Sequence, residues 1–393
     1  MYIAILGRQA AISVAELEQL YGSKAVQWFS DITALVTAPT LDVSYLGGTQ
    51  KAGRVVSELH GDWHRASQEL VRAYTEAWRD HEGKITLGVS AYGFDKISPR
   101  EVQKTGIILK SKLKAHGVSL RLIPNAEPAL NTAASHHNKL GLSDNHVELL
   151  VVRGVNGRIV IAESVGAQNI TALAARDQAR PHTDAFVGML PPKLARIMVH
   201  LTQTTANNSA SILDPFCGTG VVLQEALLDG YDVYGSDLSE KMVDYTTKNL
   251  KWLTEQTRVR GQIRTVRLGD AINYHWDEAP LLSAVVAESY LGQPFSAPPS
   301  PGKLIEVRDN CDHIISSFLR NIASQLAPGT PVCLAVPAWR AVDGSFTHLP
   351  LISRLGTLGY ARTSLVHVRD EQLLYYREGQ VVARELLILT RAN

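Results

Sequence analysis

Residues 213–237 constrain the fold of this chain more than any other stretch. They read Leu-Asp-Pro-Phe-Cys-Gly-Thr-Gly, then an apolar helical pattern over Val221–Leu228, then Gly230, then a second short run that ends at Asp237. The order predicts a strand, a glycine turn, a helix, a glycine stop and another strand with a carboxylate at its tip. That is the first half of a nucleotide-binding βαβ unit. A dinucleotide site asks for G-x-G-x-x-G, and here the third glycine position is Leu223. Asp214 in the lead-in would repel a diphosphate, whose usual cradle is backbone amide and helix N-terminus. It suits a cation instead. S-adenosylmethionine carries a sulfonium and an ammonium group, so the stretch points to a methyl-transfer cofactor and away from a dinucleotide.

A chain of 393 residues has room for two or three domains. With 45% hydrophobic and 20% charged residues it can bury a sizeable core. The net charge of +1 selects no partner. Cys217, Cys311 and Cys333 are too few and too scattered for a disulfide frame or a zinc site, so no metal is expected and the thiols read as small buried hydrophobes. That usage suits a reducing cytoplasm, and no run is long and apolar enough to span a membrane. The opening Met-Tyr-Ile-Ala-Ile-Leu-Gly-Arg reads as a buried strand rather than a leader.

Three blocks follow one another. Residues 1–60 alternate short strands with one helix, for which Ser13 and Glu16 have capping-box spacing and Gly22 is the stop. Residues 61–170 read as a helix over 67–81, a strand over 85–90, a helix from Ser98-Pro99 to about His116, a strand over 119–123, and a hairpin of 147–152 with 159–164 across Asn156-Gly157. A linker with prolines at 181, 191 and 192 covers about 171–192. Residues 193–393 alternate strands and helices, as a doubly wound parallel sheet requires, with strands expected at 211–214, 232–236, 263–268, 283–287, 331–336 and 384–390. The last pairs with 371–376 across Glu378-Gly379, so the sheet should close with an antiparallel hairpin.

The chemistry concentrates at strand ends. Gly218 and Gly220 let backbone approach a ligand closely. Asp214 can attract an ammonium, Asp237 can accept ribose hydroxyls, and Asp270, after a third strand, can accept from an adenine amino group. Pro215, Phe216, Leu238 and Ala271 flank these carboxylates and complete the expected cofactor cradle. The fourth strand ends in Glu288-Ser289-Tyr290-Leu291-Gly292. Methylating an exocyclic amine needs an acceptor that orients the nitrogen lone pair and a flat surface that holds the base, roles open to Glu288 and Tyr290. Nucleic acid is suggested further upstream. Between Lys96 and Arg121 seven basic residues face one acidic residue, Glu101. Lys104, Lys110, Lys112 and Lys114 share one helix, with Ile107, Ile108 and Leu113 expected to pack inward and Arg121 to follow on the next strand.

With these residues in view the chain resembles the THUMP-domain RNA methyltransferases, in particular the archaeal and eukaryotic tRNA guanosine-10 N2-methyltransferases. The resemblance is carried by Leu6-Gly7-Arg8 with Ser13–Leu17, by Ser119–Leu122 with His137-Asn138-Lys139-Leu140, and by Arg176-Asp177 with Arg180-Pro181. It continues through Gly188-Met189-Leu190-Pro191-Pro192-Lys193-Leu194-Ala195 and Asp214–Gly220. It implies an N-terminal ferredoxin-like domain over 1–60 and a THUMP domain over 61–170 that grips the acceptor end of tRNA, with Asn138 and Lys139 among its RNA contacts. It also implies a Rossmann-like class I domain that methylates the 2-amino group of a guanosine in the tRNA body. The family's loop after the fourth strand usually reads Asp/Asn-Pro-Pro-Tyr/Phe, whose prolines stiffen it and aim a carbonyl at the amine. This chain has Glu-Ser-Tyr-Leu-Gly. Two alternatives stay open: a related enzyme acting on ribosomal RNA or another tRNA nucleoside, and a non-catalytic RNA-binding protein that kept the cofactor pocket.

Overall fold

Period-two burial in the first half and a strand–helix alternation in the second divide the chain into two units, Met1–Thr171 and Ala172–Asn393. They are seen in a computed structural model that describes residues 1–184, 189–204, 210–277 and 281–393. Gly188, at the head of one of the family-like runs, lies outside the described residues.

The first unit contains β1 (Tyr2–Leu6), α1 (Ala10–Tyr21), β2 (Val26–Ser30), β3 (Thr33–Val36), β4 (Thr49–His60) and α2 (Trp63–Ala77). It continues with β5 (Lys84–Tyr92), α3 (Pro99–Ala115), β6 (Ser119–Leu122), α4 (Thr132–His137), β7 (His146–Arg153) and β8 (Arg158–Ala167). One sheet runs through all of it in the order β2-β3-β1-β4-β8-β7-β5-β6. The expected boundary near residue 60 is therefore bridged: β4 pairs with β1 on one side and along its length with β8 on the other. Alternation on the hairpin strands feeds two cores. Leu149, Val151, Ile159 and Ile161 pack with α2 and α3, while Leu150, Val152, Val160 and Ala162 pack with Ile3, Ile5, Phe29 and Leu35. The hairpin turns through Asn156 and Gly157, both at positive φ, as Asn-Gly predicts.

Two local expectations are corrected. α1 begins at Ala10, so Ser13 and Glu16 lie inside the helix and form no capping box. Both are buried because they hold the loop before β4. Ser13 Oγ donates to Gly48 O at 2.8 Å, and the Glu16 carboxylate accepts the Gly47 and Gly48 N–H groups at 2.7 Å each. A Cβ on Gly48 would come 2.7 Å from Ser13 Cα, so the close approach needs that glycine. The helix expected from residue 67 starts at Trp63, because Asp62 caps it by accepting from Arg65 N.

The second unit contains α5 (Ile170–Gln178, starting at the boundary), α6 (Pro192–His200), β9 (Ser211–Asp214), α7 (Val221–Asp229), β10 (Asp232–Asp237) and α8 (Glu240–Gln256). Then come β11 (Ile263–Leu268), β12 (Ala284–Glu288), α9 (Pro301–Ala323), β13 (Pro331–Arg340), β14 (Phe346–Thr347), β15 (Tyr360–Arg362), β16 (Leu374–Tyr375) and β17 (Val382–Arg391). The sheet order is β11-β10-β9-β12-β13-β17-β15. β9 to β13 are parallel, and β17 inserts antiparallel between β13 and β15. The expected closing hairpin is present as β16 on β17. Winding reverses between β9 and β12, the place where open α/β sheets leave a crevice at the carboxyl ends of their strands. The start of the expected linker is not a linker: Arg176 lies in α5, buried against Glu225 of α7.

In the first unit's interior, Lys51 Nζ lies 2.6 Å from Glu148 Oε1 and 2.6 Å from Leu130 O, and Ser90 Oγ donates to the same carboxylate. Burial pulls the lysine down while Glu148 opposes the shift. Replacing Lys51 by Met should cost about 3–5 kcal/mol in urea unfolding, the scale for orphaning one member of a buried pair. The Lys51→Met, Glu148→Leu double variant should recover much of that loss.

Candidate active site

The glycine turn forms because β9 ends in Asp214 and the chain must reverse into α7 within six residues. Gly218 and Gly220 take left-handed φ of 53° and 84°. A Cβ on Gly220 would press on Thr246 at 3.1 Å, whereas one on Gly218 would meet only Phe216 O at 3.8 Å. α8 braces the turn from behind. Thr246 Oγ1 donates to Gly218 O at 2.8 Å, and Asn249 Nδ2 donates to Thr219 O at 2.9 Å. The same Asn249 grips the backbone of His182, donating to its carbonyl and accepting its N–H. Thus the proline-containing segment before α6 is clipped to the turn. Sequence reasoning missed Thr246 and Asn249, because a polar residue on a long helix gives no sign of what it faces.

Four carboxylates sit at strand ends. Asp214 is buried, and its Oδ1 accepts from Phe216 N at 3.0 Å. Burial pushes its carboxyl well above the usual range; the Phe216 N–H opposes this, and the nearby charges of Asp237 and Glu288 add to it. Among the described residues no cationic side chain offsets that charge. Asp237 accepts from Gly218 N and Ser239 N at 2.9 Å each, so it ties the second strand tip to the turn. Its carboxyl is raised by burial against those two bonds. Asp270 is half-buried and closes a local turn on Ile272 N at 3.2 Å. Leu238 projects, 71% exposed, and Ala271 is buried with its carbonyl accepting from Asn321. Pro215 is buried, and Phe216 packs edge-on against Phe318 at 5.0 Å.

Glu288 ends β12, half-buried and ion-paired with Arg384 of β17. Burial raises its carboxyl and Arg384 opposes the rise. Ser289 N and Oγ both donate to Ala335 O at 3.0 Å. Tyr290 is 42% exposed. The structure thus brings Asp237 and Glu288 close enough for their charges to act on Asp214, with Asp270 beyond them on the far side of β10.

The basic residues lie in the other unit. Lys104, Lys110, Lys112, Lys114 and Arg121 are all exposed. Ile107 and Ile108 do not pack inward as expected; they are 54% and 38% exposed within the lysine face. The buried stripe of α3 is instead Val102, Thr105, Gly106, Leu109 and Leu113, since Gly106 sits on Leu122 and rotates the helix onto that side. Asn138 spends its amide on Ala134 O at the end of α4, and Lys139 is exposed at φ 55°.

Residues 180–271 match the family UPF0020, described as an RMKL-like methyltransferase domain. The segment that holds the glycine turn is therefore methyltransferase-like. A tRNA (guanine(10)-N2)-dimethyltransferase of Methanothermobacter thermautotrophicus is 34% identical over 165 residues, 41% of this chain and 43% of that protein. One from Pyrococcus abyssi is 45% identical over 82 residues, 21% of this chain and 22% of that protein. The chain spans less than half the length of these curated relatives. Across 99% of both chains the fold is similar to that of TrmN from Thermus thermophilus, with a TM-score of 0.53 and 18% identity. These matches support the resemblance read from the sequence. Among the described residues no helix is long and apolar enough to cross a membrane.

The raised Asp214 carboxyl has a consequence for the ligand-free protein. An acid whose folded pKa exceeds its ordinary 3.8 keeps its proton longer folded than unfolded. It therefore costs stability as pH rises above that value through the folded pKa. Asp214→Asn should raise the melting temperature at pH 7–8, and should flatten its decline between pH 4 and 8 in thermal melts. A lower melting temperature at neutral pH would show that the carboxylate is offset from within the protein.

Proposed function

We propose that this chain is an S-adenosylmethionine-dependent tRNA methyltransferase that modifies the exocyclic N2 of a guanosine, position 10 by likeness to the curated relatives. The observation that carries this reading is Asp214: a buried carboxylate at the sheet's switch point, flanked by two more carboxylates, beside a glycine turn that a Cβ at Gly218 would not crowd. A donor set this rich in negative charge fits a cationic ligand and disfavours a diphosphate. Asp214 would attract the ammonium end, Asp237 has lone pairs left for ribose hydroxyls, and the free oxygen of Asp270 would take an adenine amino group. Leu238 and Ala271 would flank the adenine, and Pro215, Phe216, Gly218 and Gly220 would supply the backbone cradle. S-adenosylmethionine supplies the electrophilic methyl.

The acceptor side falls to Glu288 and Tyr290. Glu288 accepts hydrogen bonds from the guanine amine, which turns the nitrogen lone pair toward the methyl. Tyr290 offers the ring on which the base stacks. The first unit, with the ferredoxin-like and THUMP modules at 1–60 and 61–170, grips the tRNA acceptor end through Lys104, Lys110, Lys112, Lys114, Arg121, Asn138 and Lys139, and the protein works in the cytoplasm. Incubation with radiolabelled S-adenosylmethionine and unmodified tRNA, followed by nucleoside mass spectrometry, tests the whole reading. Label in N2-methylguanosine is expected. Label in another nucleoside would move the target, and absence of label would favour a non-catalytic RNA-binding role.

Two variants sharpen it. Glu288→Ala should lower single-turnover transfer by about 10²–10³, the usual scale for one preorganised polar contact, with cofactor affinity unchanged by calorimetry. Charge reversal at Lys110, Lys112 and Lys114 should weaken tRNA binding and reduce its salt slope by roughly 1 per lost phosphate contact. An unaltered slope would make that face a solvated surface only.

A further inference from the structure

The loop Glu288–Gly292 contains no proline, yet a base-acceptor loop must hold its groups still. The structure supplies stiffness by other means. Ser289 is fastened twice to Ala335 O. Gly292, at φ 78°, leaves no room for a Cβ, which would lie 2.8 Å from Val307 and 3.1 Å from Cys311. Glu288 itself is held from across the sheet. In register, Glu288 pairs with Ala335, Ala335 with Leu386, and Pro337 with Arg384. Partners in register share a face, so Arg384 lies on the Glu288 face and one step nearer the strand ends. Ala335 carries only a Cβ between them, and the arginine reaches over it. Its Nε donates to Glu288 Oε1. Among the described residues Oε2 takes no hydrogen bond.

We propose that Arg384 is a positioning residue for the acceptor amine, acting through Glu288. The inference rests on the methyl-transfer reading above and deepens it. Arg384 occupies Oε1, fixes the carboxylate plane and leaves Oε2 as the oxygen that faces the base. It also favours the ionised form of Glu288 against the burial that raises its carboxyl; Arg384 is the one charged side chain that acts on Glu288 among the described residues, while Glu288 in turn raises Asp214. Glu288 Oε2 can then receive the proton that the acceptor nitrogen sheds once the N–C bond has formed and the S–C electron pair has gone to sulfur. A guanidinium suits this task better than an ammonium, because it is planar, always charged and directional.

The test has two arms. In the first, the side-chain carboxyl resonance of Glu288 in protein carrying ¹³C-labelled glutamate, assigned by its loss in Glu288→Gln, is titrated in the wild type, Arg384→Gln and Arg384→Lys. Removing an adjacent opposite charge should move the midpoint up by about 1–3 pH units in Arg384→Gln. Arg384→Lys, which keeps the charge, should stay near the wild type and guards against misfolding of the neutral variant. In the second arm, single-turnover methyl transfer to tRNA is followed against pH. The acid limb should rise by the same shift in Arg384→Gln, with S-adenosylmethionine affinity at neutral pH unchanged. An unmoved resonance midpoint in Arg384→Gln overturns the proposal whatever the tRNA assay gives, and so does an unmoved acid limb. A moved midpoint together with a wild type that methylates no RNA would instead overturn the functional reading while keeping the Arg384–Glu288 assignment.

Discussion

Asp214 is held inside the sheet's switch point with one backbone N–H and, among the described residues, no cation to offset it, and much of the second unit is the frame that makes this tolerable. A carboxylate buried without a partner would ordinarily take up a proton or be replaced. Here β9 places it, the Asp214–Phe216 turn holds it, and α7 begins directly after the glycines that follow. Asp237 then bonds back to Gly218, so the second carboxylate is also the clasp of the turn. Under the proposed function a cationic ligand would supply the countercharge that the described residues do not.

That frame extends into residues that look like connection. Glu225 is fully buried on the largely apolar α7, where a lone charge would be costly. It is met by Arg176 of α5 at 2.5 Å and by Arg196 of α6 at 2.7 Å, and His200 of α6 meets Asp229 at 3.0 Å. Together with the clip of Asn249 on His182, these contacts join Arg176, His182, Arg196 and His200 to the helix and turn of the cofactor-like cradle. These residues are therefore part of the site's support.

Legibility followed the range of the interactions. The strands β9 to β12 are readable as short segments spaced between helical patterns and turn signals: β9 and β11 match their expected limits, while the expected 232–236 and 283–287 stand where β10 covers 232–237 and β12 covers 284–288. The carboxylates at strand ends were readable for the same reason. Ser13 and Glu16 were misread because capping-box spacing is a local pattern, and their partners, Gly47 and Gly48, lie more than thirty residues away. The inward face of α3 was misread because Ile107 and Ile108 are more apolar than Gly106, yet the close contact with Leu122 selects the glycine side. Arg384 left no signal, since it reaches Glu288 only after β17 inserts antiparallel beside β13. Glu225 did leave one: a charge in the middle of Val-Val-Leu-Gln-Glu-Ala-Leu-Leu implies buried partners, even if it cannot name them.

The distribution of charge also explains why one near-neutral chain can serve both a polyanion and an acidic site under the proposed function. Phosphate attraction needs several exposed cations with mobile counterions to release, and α3 presents such a face in one unit. Chemistry at an amine needs the opposite: few charges, desolvated and fixed, so that an N–H donor or a sulfonium is preferred and a phosphate is repelled. Asp214, Asp237 and Glu288 meet that need in the other unit, with Arg384 as the single guanidinium bound to one of them. Lysines near those strand ends would weaken the proposed site, because they would neutralise its carboxylates. The net charge of +1 sums every charge in the chain, so it cannot report either local pattern.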